Sequence, residues 1–132
     1  MITPGEYTLL LTDELQRAIA ANRGRDPLEV ALDRNTPHAR LVATQVKYLA
    51  RAEAKLPSYA SAQCILPPLA FEQASSEACA AHKRIAGGAV LDLTCGLGAD
   101  AFFLARRFRR VVTLERDQTL ARIAAENFRR LG

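Results

Sequence analysis

The stretch that decides the fold runs from Val90 to Asp117 and reads VLDLTCGLGADAFFLARRFRRVVTLERD. Ala89, Val90, Leu91 and Leu93 form a short apolar run suited to a strand covered on both faces, and Gly96 and Gly98 then punctuate it. Ala101 to Phe108 reads as a helix. Val111, Val112, Thr113 and Leu114 make a second β-rich run that ends in Glu115. Two such runs joined by a helix predict a parallel pair with a right-handed crossover, which is a nucleotide-binding half-site.

The chemistry expected there follows from the geometry. Gly96 and Gly98 let the backbone bend and approach a ligand closely, and a helix beginning near Asp100 turns its free N–H groups towards an anion. Glu115 would lie at the carboxyl end of the neighbouring strand, where an acidic side chain can accept both hydroxyls of a ribose. A ribose-bearing cofactor is implied, and two classes compete. The spacing Gly96-x-Gly98-x-x-Ala101 satisfies the loose dinucleotide pattern, which keeps an NAD-dependent oxidoreductase open. Asp92, at the end of the first strand, favours the other class, because a carboxylate repels a pyrophosphate and attracts a cation. S-adenosylmethionine carries a sulfonium and an α-ammonium, and its carboxylate can use the helix N-terminus.

These residues also carry a family resemblance. Asp92-Leu-Thr-Cys-Gly96-Leu-Gly98-Ala-Asp100 resembles the first motif of class I S-adenosylmethionine-dependent methyltransferases, and Glu115 matches their acidic second motif. Leu66-Pro-Pro-Leu-Ala-Phe-Glu-Gln-Ala-Ser-Ser-Glu77 with Ala80-Ala-His-Lys83 is similar to the segment before that motif in bacterial methyltransferases carrying a C-terminal THUMP-like domain. More distantly it resembles trimethylguanosine synthases. Thr12-Asp-Glu-Leu, Asp26-Pro-Leu-Glu and Lys55-Leu-Pro57 resemble the small helical domain that opens the THUMP-like group.

The resemblance implies an α/β fold, with a small N-terminal helical domain over residues 1–57 and the first βαβα part of a Rossmann-like methyltransferase fold over 58–132. It implies S-adenosylmethionine as cofactor, bound by Asp92, Thr94, Gly96, Gly98, Asp100, Glu115 and Arg116. It points to RNA as methyl acceptor. Members of that family continue through further strands and an Asn/Asp-Pro-Pro-aromatic motif, and the Pro67-Pro68 of this chain, upstream of the turn, is not that motif. The expected piece is therefore incomplete, inactive alone, and prone to self-association through its unfinished sheet.

Composition is that of a globular protein, 49% hydrophobic in 132 residues. The net charge is +4, and arginine supplies fifteen of the eighteen basic residues, which suits phosphate contact. That balance keeps a second reading open, a non-catalytic nucleic-acid-binding module with a degenerate cofactor fold. No run reaches the roughly twenty apolar residues of a membrane span, and Leu9-Leu10-Leu11 is too short for a signal peptide, so a cytoplasmic protein is expected. Cys64, Cys79 and Cys95 are odd in number and widely spaced, with no histidine at ligand spacing, so neither a disulfide framework nor a metal site is expected.

Local signals place the remaining elements. Residues 1–11 read as an irregular leader or first helical turn. Thr12 caps a helix to about Asn22, Asp26-Pro27 starts a short second one, and Thr36-Pro37 starts a third whose Val42, Val46 and Leu49 form an apolar stripe to Lys55. Residues 58–74 read as a connection. Ser75 or Ser76 caps a helix to about Ile85, closed by Gly87-Gly88, and Phe71, Glu72, Gln73 and Ser75 are candidates to approach the cofactor pocket. Arg34, Arg40, Lys47, Arg51 and Lys55 read as a solvated face, with a phosphate-facing surface as the alternative, and Arg106, Arg107, Arg109 and Arg110 as cations at a helix C-terminus, with a role against RNA left open. Asp117 caps a last helix whose Leu120, Ile123, Ala124, Asn127 and Leu131 share a face left short of its sheet.

Overall fold

The computed structural model describes the whole chain, Met1 to Gly132. Seven helices precede the first strand: α1 (Pro4–Leu10), α2 (Asp13–Asn22), α3 (Pro27–Leu32), α4 (Ala39–Lys55), α5 (Pro57–Ser61), α6 (Pro68–Gln73) and α7 (Glu77–His82). Then come β1 (Gly87–Asp92), α8 (Ala99–Leu104), β2 (Phe108–Thr113) and α9 (Gln118–Leu131). The strands pair in parallel, with Gly87 opposite Phe108 and Asp92 opposite Thr113. The result is a mixed α/β chain with a two-stranded parallel sheet, compatible with a partial Rossmann-like fold.

Helix starts follow the side chains that can cap them. The Thr12 hydroxyl accepts from Leu15 N–H at 3.3 Å, Asp26 from Leu28 N–H at 2.8 Å, and Ser76 from Cys79 N–H at 3.2 Å. Asp117 accepts from the N–H groups of Thr119 and Leu120 at 2.8 and 3.0 Å. The first eleven residues depart from the sequence reading, because Thr3 and Glu6 form a reciprocal capping box with Pro4 at the first helical position. Residues 58–74 depart for a related reason. Pro57 and Pro68 each occupy the first turn of a helix, where a missing N–H costs nothing, so they open α5 and α6.

Four boundaries also shift. Helix α4 begins at Ala39, not Thr36, since Asp33 binds Asn35 N–H at 2.9 Å and the Thr36 hydroxyl at 3.1 Å in a turn, and His38 is left-handed at φ 47°. Helix α7 stops at His82, and Arg107 donates to the Ala81 carbonyl in its last turn and to the Lys83 carbonyl just past it. That arginine therefore caps α7, the neighbouring helix, and not the one that precedes it in sequence. Gly87 and Gly88 lie inside β1, where a Cβ on Gly87 would stand 3.1 Å from the Phe108 ring, and Phe108 belongs to β2, not α8.

One cluster of 21 buried residues runs from Ile2 through Leu49, Tyr59 and Phe71 to Leu97, Ala99 and Ile123, so the glycine turn is anchored on the helices. The apolar face of α9, expected to lack a cover, has one. Asn127 donates from Nδ2 to the Ile65 carbonyl and accepts from Ile65 N–H, both at 2.8 Å. Gln45 of α4 does the same for Leu66, at 3.2 and 2.9 Å. Two buried amides thus hold residues 65 and 66 from opposite sides as a pseudo-strand, satisfying backbone groups that no sheet reaches.

On the sheet itself one face is open: Leu91, Leu93 and Leu114 are 56%, 67% and 50% exposed, and Val112 lies beside them. The basic stripe of α4 is partly consumed by packing. Arg51 forms an ion pair with Glu72 and stacks on Tyr48 and Phe71, while Lys55 donates to the carbonyls of Phe71 and Glu72. No helix is long and apolar enough to cross a membrane.

Candidate functional site

Strand β1 ends at Asp92, and residues 93–98 carry the chain over to α8. Three backbone bonds fix this turn: Cys95 N–H to Leu114 O at 2.8 Å, Leu114 N–H to Asp92 O at 2.9 Å, and Gly98 N–H to Cys95 O at 2.8 Å. Gly96 and Gly98 are both left-handed, at φ 53° and 85°. Their roles differ. A Cβ on Gly96 would meet nothing nearer than the Thr94 carbonyl at 4.0 Å, whereas one on Gly98 would lie 2.4 Å from Cζ of Phe128. Gly98 seats α9 against the turn, and Gly96 keeps the outer side of the turn clear.

Acidic side chains organise the surroundings. Glu115, two residues past β2, accepts from Gly96 N–H at 3.0 Å through Oε2 and from Asp117 N–H at 2.9 Å through Oε1, with a lone pair left on each oxygen. Asp92 accepts from Thr94 N–H at 3.0 Å. Asp100 accepts from Lys83 Nζ at 2.7 Å and from the Ser75 hydroxyl at 3.1 Å, which ties α8 to the segment before β1. From the helical side, the buried Tyr59 hydroxyl donates to the Leu97 carbonyl at 3.2 Å, and burial pushes its phenol above the ordinary value.

Around the turn lies a cavity of about 370 Å³, within the range of small-molecule sites. The turn from Thr94 to Asp100 forms one wall, Glu115 and Leu120 a second, and Ala70, Gln73, Ala74 and Ser75 a third. The N–H groups of Leu97, Ala99 and Asp100 take no acceptor within the chain, and all three residues line this cavity. Unpaired donors beside a carboxylate suit a ligand with both acceptor and hydroxyl groups. The Cys95 thiol is pushed up, first by burial and then by Asp92 and Glu115, against a lowering hydrogen bond from Thr113. Both carboxylates therefore bear on one protonated thiol at the centre of the turn, an environment opposite to that of a nucleophilic cysteine.

Of the candidates read from the sequence, the structure brings Thr94, Gly96, Gly98, Asp100 and Glu115 to one cavity wall or another. Asp92 is half-buried behind the turn and Arg116 is exposed, and neither lines the cavity. Gln73 and Ser75 line it, whereas Phe71 is in the core and Glu72 is on the surface with Arg51. Sequence reasoning missed Ala70, Ala74 and Leu120, which carry no chemistry to flag them, and Lys83 and Tyr59, which act on the turn through partners distant in sequence.

Comparison with known proteins adds one observation. No family model matches the sequence, and no curated protein does. Among solved structures the chain matches one described as "Crystal structure of putative methyltransferase from Porphyromonas gingivalis W83", at 26% identity and a TM-score of 0.78. The match covers 99% of this chain and 34% of that one, so the chain spans about a third of the length of the structure it matches. Over nearly all its length, the chain is similar in fold to one part of a protein described as a methyltransferase.

Proposed function

We propose that this chain is the cofactor-binding portion of a class I methyltransferase that uses S-adenosylmethionine. The observation that carries the reading is the carboxylate of Glu115 at the carboxyl end of β2, facing the same cavity as the Gly96 turn and its unpaired N–H groups. The similarity to a structure described as a methyltransferase supports it.

The residues present fit such a molecule. Glu115 has an acceptor lone pair on each oxygen for the two ribose hydroxyls, while its bond to Gly96 N–H holds it at the turn. The N–H groups of Leu97, Ala99 and Asp100 suit the carboxylate of the amino-acid portion. Asp92 at the end of β1 adds negative potential for an ammonium and a sulfonium, whereas Asp100 is neutralised by its ion pair with Lys83. Bound there, the cofactor would supply a methyl group activated on sulfur, with the acceptor attacking the methyl carbon in line as the carbon–sulfur bond breaks and the neutral thioether leaves. The chain's own contribution is positioning and electrostatics. We assign no catalytic residue among these 132.

RNA is the acceptor class we propose, supported by Arg109, Arg110 and Arg116, which are exposed and make no ion pair or side-chain hydrogen bond. Calorimetric titration tests the cofactor reading directly. The chain is expected to bind S-adenosylmethionine and S-adenosylhomocysteine more tightly than NAD, and Glu115→Ala to weaken both by about tenfold or more, the worth of hydrogen bonds to a charged group. Tighter binding of NAD, or equal binding to the Glu115→Ala chain shown to be folded, would overturn it.

A further inference from the structure

One carbonyl of the glycine turn is satisfied from the helical half of the chain. Leu97 O receives no backbone N–H, and its donor is the hydroxyl of Tyr59, 38 residues earlier in α5, at 3.2 Å. Both residues are buried, Tyr59 at 0% exposure and Leu97 at 1%, and both belong to the core that the helices share with the turn. Tyr59 does not line the main cavity, so whatever it does for a ligand there it does through Leu97.

The peptide that this bond holds has a particular place. The Leu97–Gly98 peptide is fixed on both sides, by Tyr59 at its carbonyl and by the bond from Gly98 N–H to Cys95 O at 2.8 Å. It lies between the two peptides that carry the unpaired N–H groups of Leu97 and Ala99. Gly96 and Gly98, left-handed and without a Cβ, leave those flanking peptides easy to rotate. A buried carbonyl without a donor is unfavourable, so the tyrosine favours the turn conformation in which Leu97 O points into the core. That choice sets the starting direction of both free donors.

Helix α5 is itself held in place. Ser58, beside Tyr59, donates its N–H and its hydroxyl to Glu77 of α7, at 2.6 and 3.0 Å. The Tyr59 ring stands edge-on to Phe102 of α8, with centroids 6.3 Å apart and planes at 84°. Just past α7, Lys83 reaches Asp100 in the first turn of α8. Helices α5, α7 and α8 thus enclose the turn from the side away from the cavity. We infer that Tyr59 is a positioning residue for the carboxylate of the cofactor's amino-acid portion, aiming the N–H groups of Leu97 and Ala99 through the Leu97 carbonyl. This rests on the cofactor reading above. The ribose end is left to Glu115, whose own bonds run to Gly96 and Asp117.

The test uses the full chain and two probes that share adenine and ribose: S-adenosylhomocysteine, which carries the amino-acid carboxylate, and 5′-methylthioadenosine, which lacks it. Tyr59→Phe keeps the ring and removes only the hydroxyl. It should weaken S-adenosylhomocysteine about fivefold, the worth of one hydrogen bond, and leave methylthioadenosine within about twofold. A role confined to stability would lower the melting temperature and weaken both probes alike, and that result would overturn the inference while leaving the cofactor reading intact. The unaltered chain supplies a second measurement that does not depend on the variant folding. Its Leu97 and Ala99 amide resonances should shift on adding S-adenosylhomocysteine and much less with methylthioadenosine, and equal shifts would also overturn the inference. Failure of both probes to bind the unaltered chain would overturn the cofactor reading and this inference together.

Discussion

At Gly98 two independent requirements meet, a left-handed backbone and the Phe128 ring 2.4 Å from where a Cβ would stand. Gly98→Ala should therefore cost about 2–4 kcal/mol, read as a lower urea midpoint, because the ring belongs to a packed helix and cannot swing clear cheaply. Gly96→Ala has only the backbone term, and should cost about 1–2 kcal/mol. Sequence spacing identified both glycines as turn residues, yet nothing in it distinguished the one that seats a helix from the one that clears space. Glu126 carries a pH prediction. Its carboxyl is held down to about 2, first by the hydrogen bond from Arg129 and further by Arg130, with desolvation opposing. A carboxyl lowered in the folded state contributes stability that is complete above the ordinary value of 4.5 and is lost as pH falls towards 2. Urea midpoints measured at intervals across that window should fall, and Glu126→Gln should reduce the fall.

At the scale of elements, the buried amides of Gln45 and Asn127 substitute for strand pairing along residues 65 and 66. Asn127→Leu would leave the N–H and C=O of Ile65 buried without partners, so a loss of about 2–4 kcal/mol is expected in chemical denaturation. Gln45→Leu should cost a similar amount, and since each amide serves the same short segment, the double variant should cost less than the two losses added. If Asn127→Leu were neutral, the pseudo-strand would have no energetic role. The helices themselves were largely legible: the caps at Thr12, Asp26, Ser76 and Asp117 and the stripe Val42, Val46, Leu49 are local, and local signals need no knowledge of the rest of the chain. The box Thr3-x-x-Glu6 is equally local and carries the same kind of signal. Pro57 and Pro68 were ambiguous, because a proline opens a helix or interrupts one depending on whether the residues after it find something to pack against.

For the molecule as a whole, the decisive feature is the sheet face bearing Leu91, Leu93, Val112 and Leu114, exposed beside two strands with no further neighbours. Large apolar patches on soluble proteins are covered by something, and open strand edges pair readily. The isolated chain is expected to self-associate with rising concentration, and Leu91→Lys with Leu93→Lys to return it to monomer. A concentration-independent monomer in sedimentation velocity would count against this. What the sequence determined by itself was the unit of strand, glycine turn, helix and acid-tipped strand, because period, punctuation and charge within 28 residues suffice to specify it. Only the tertiary structure decided that α9 is covered by an amide-held segment and not by sheet, that Lys83 and Ser75 secure Asp100, and that Ile2 shares a core with Leu97 of the turn. Those outcomes depend on contacts between residues tens to a hundred positions apart, and no local pattern encodes which distant surface a side chain will meet.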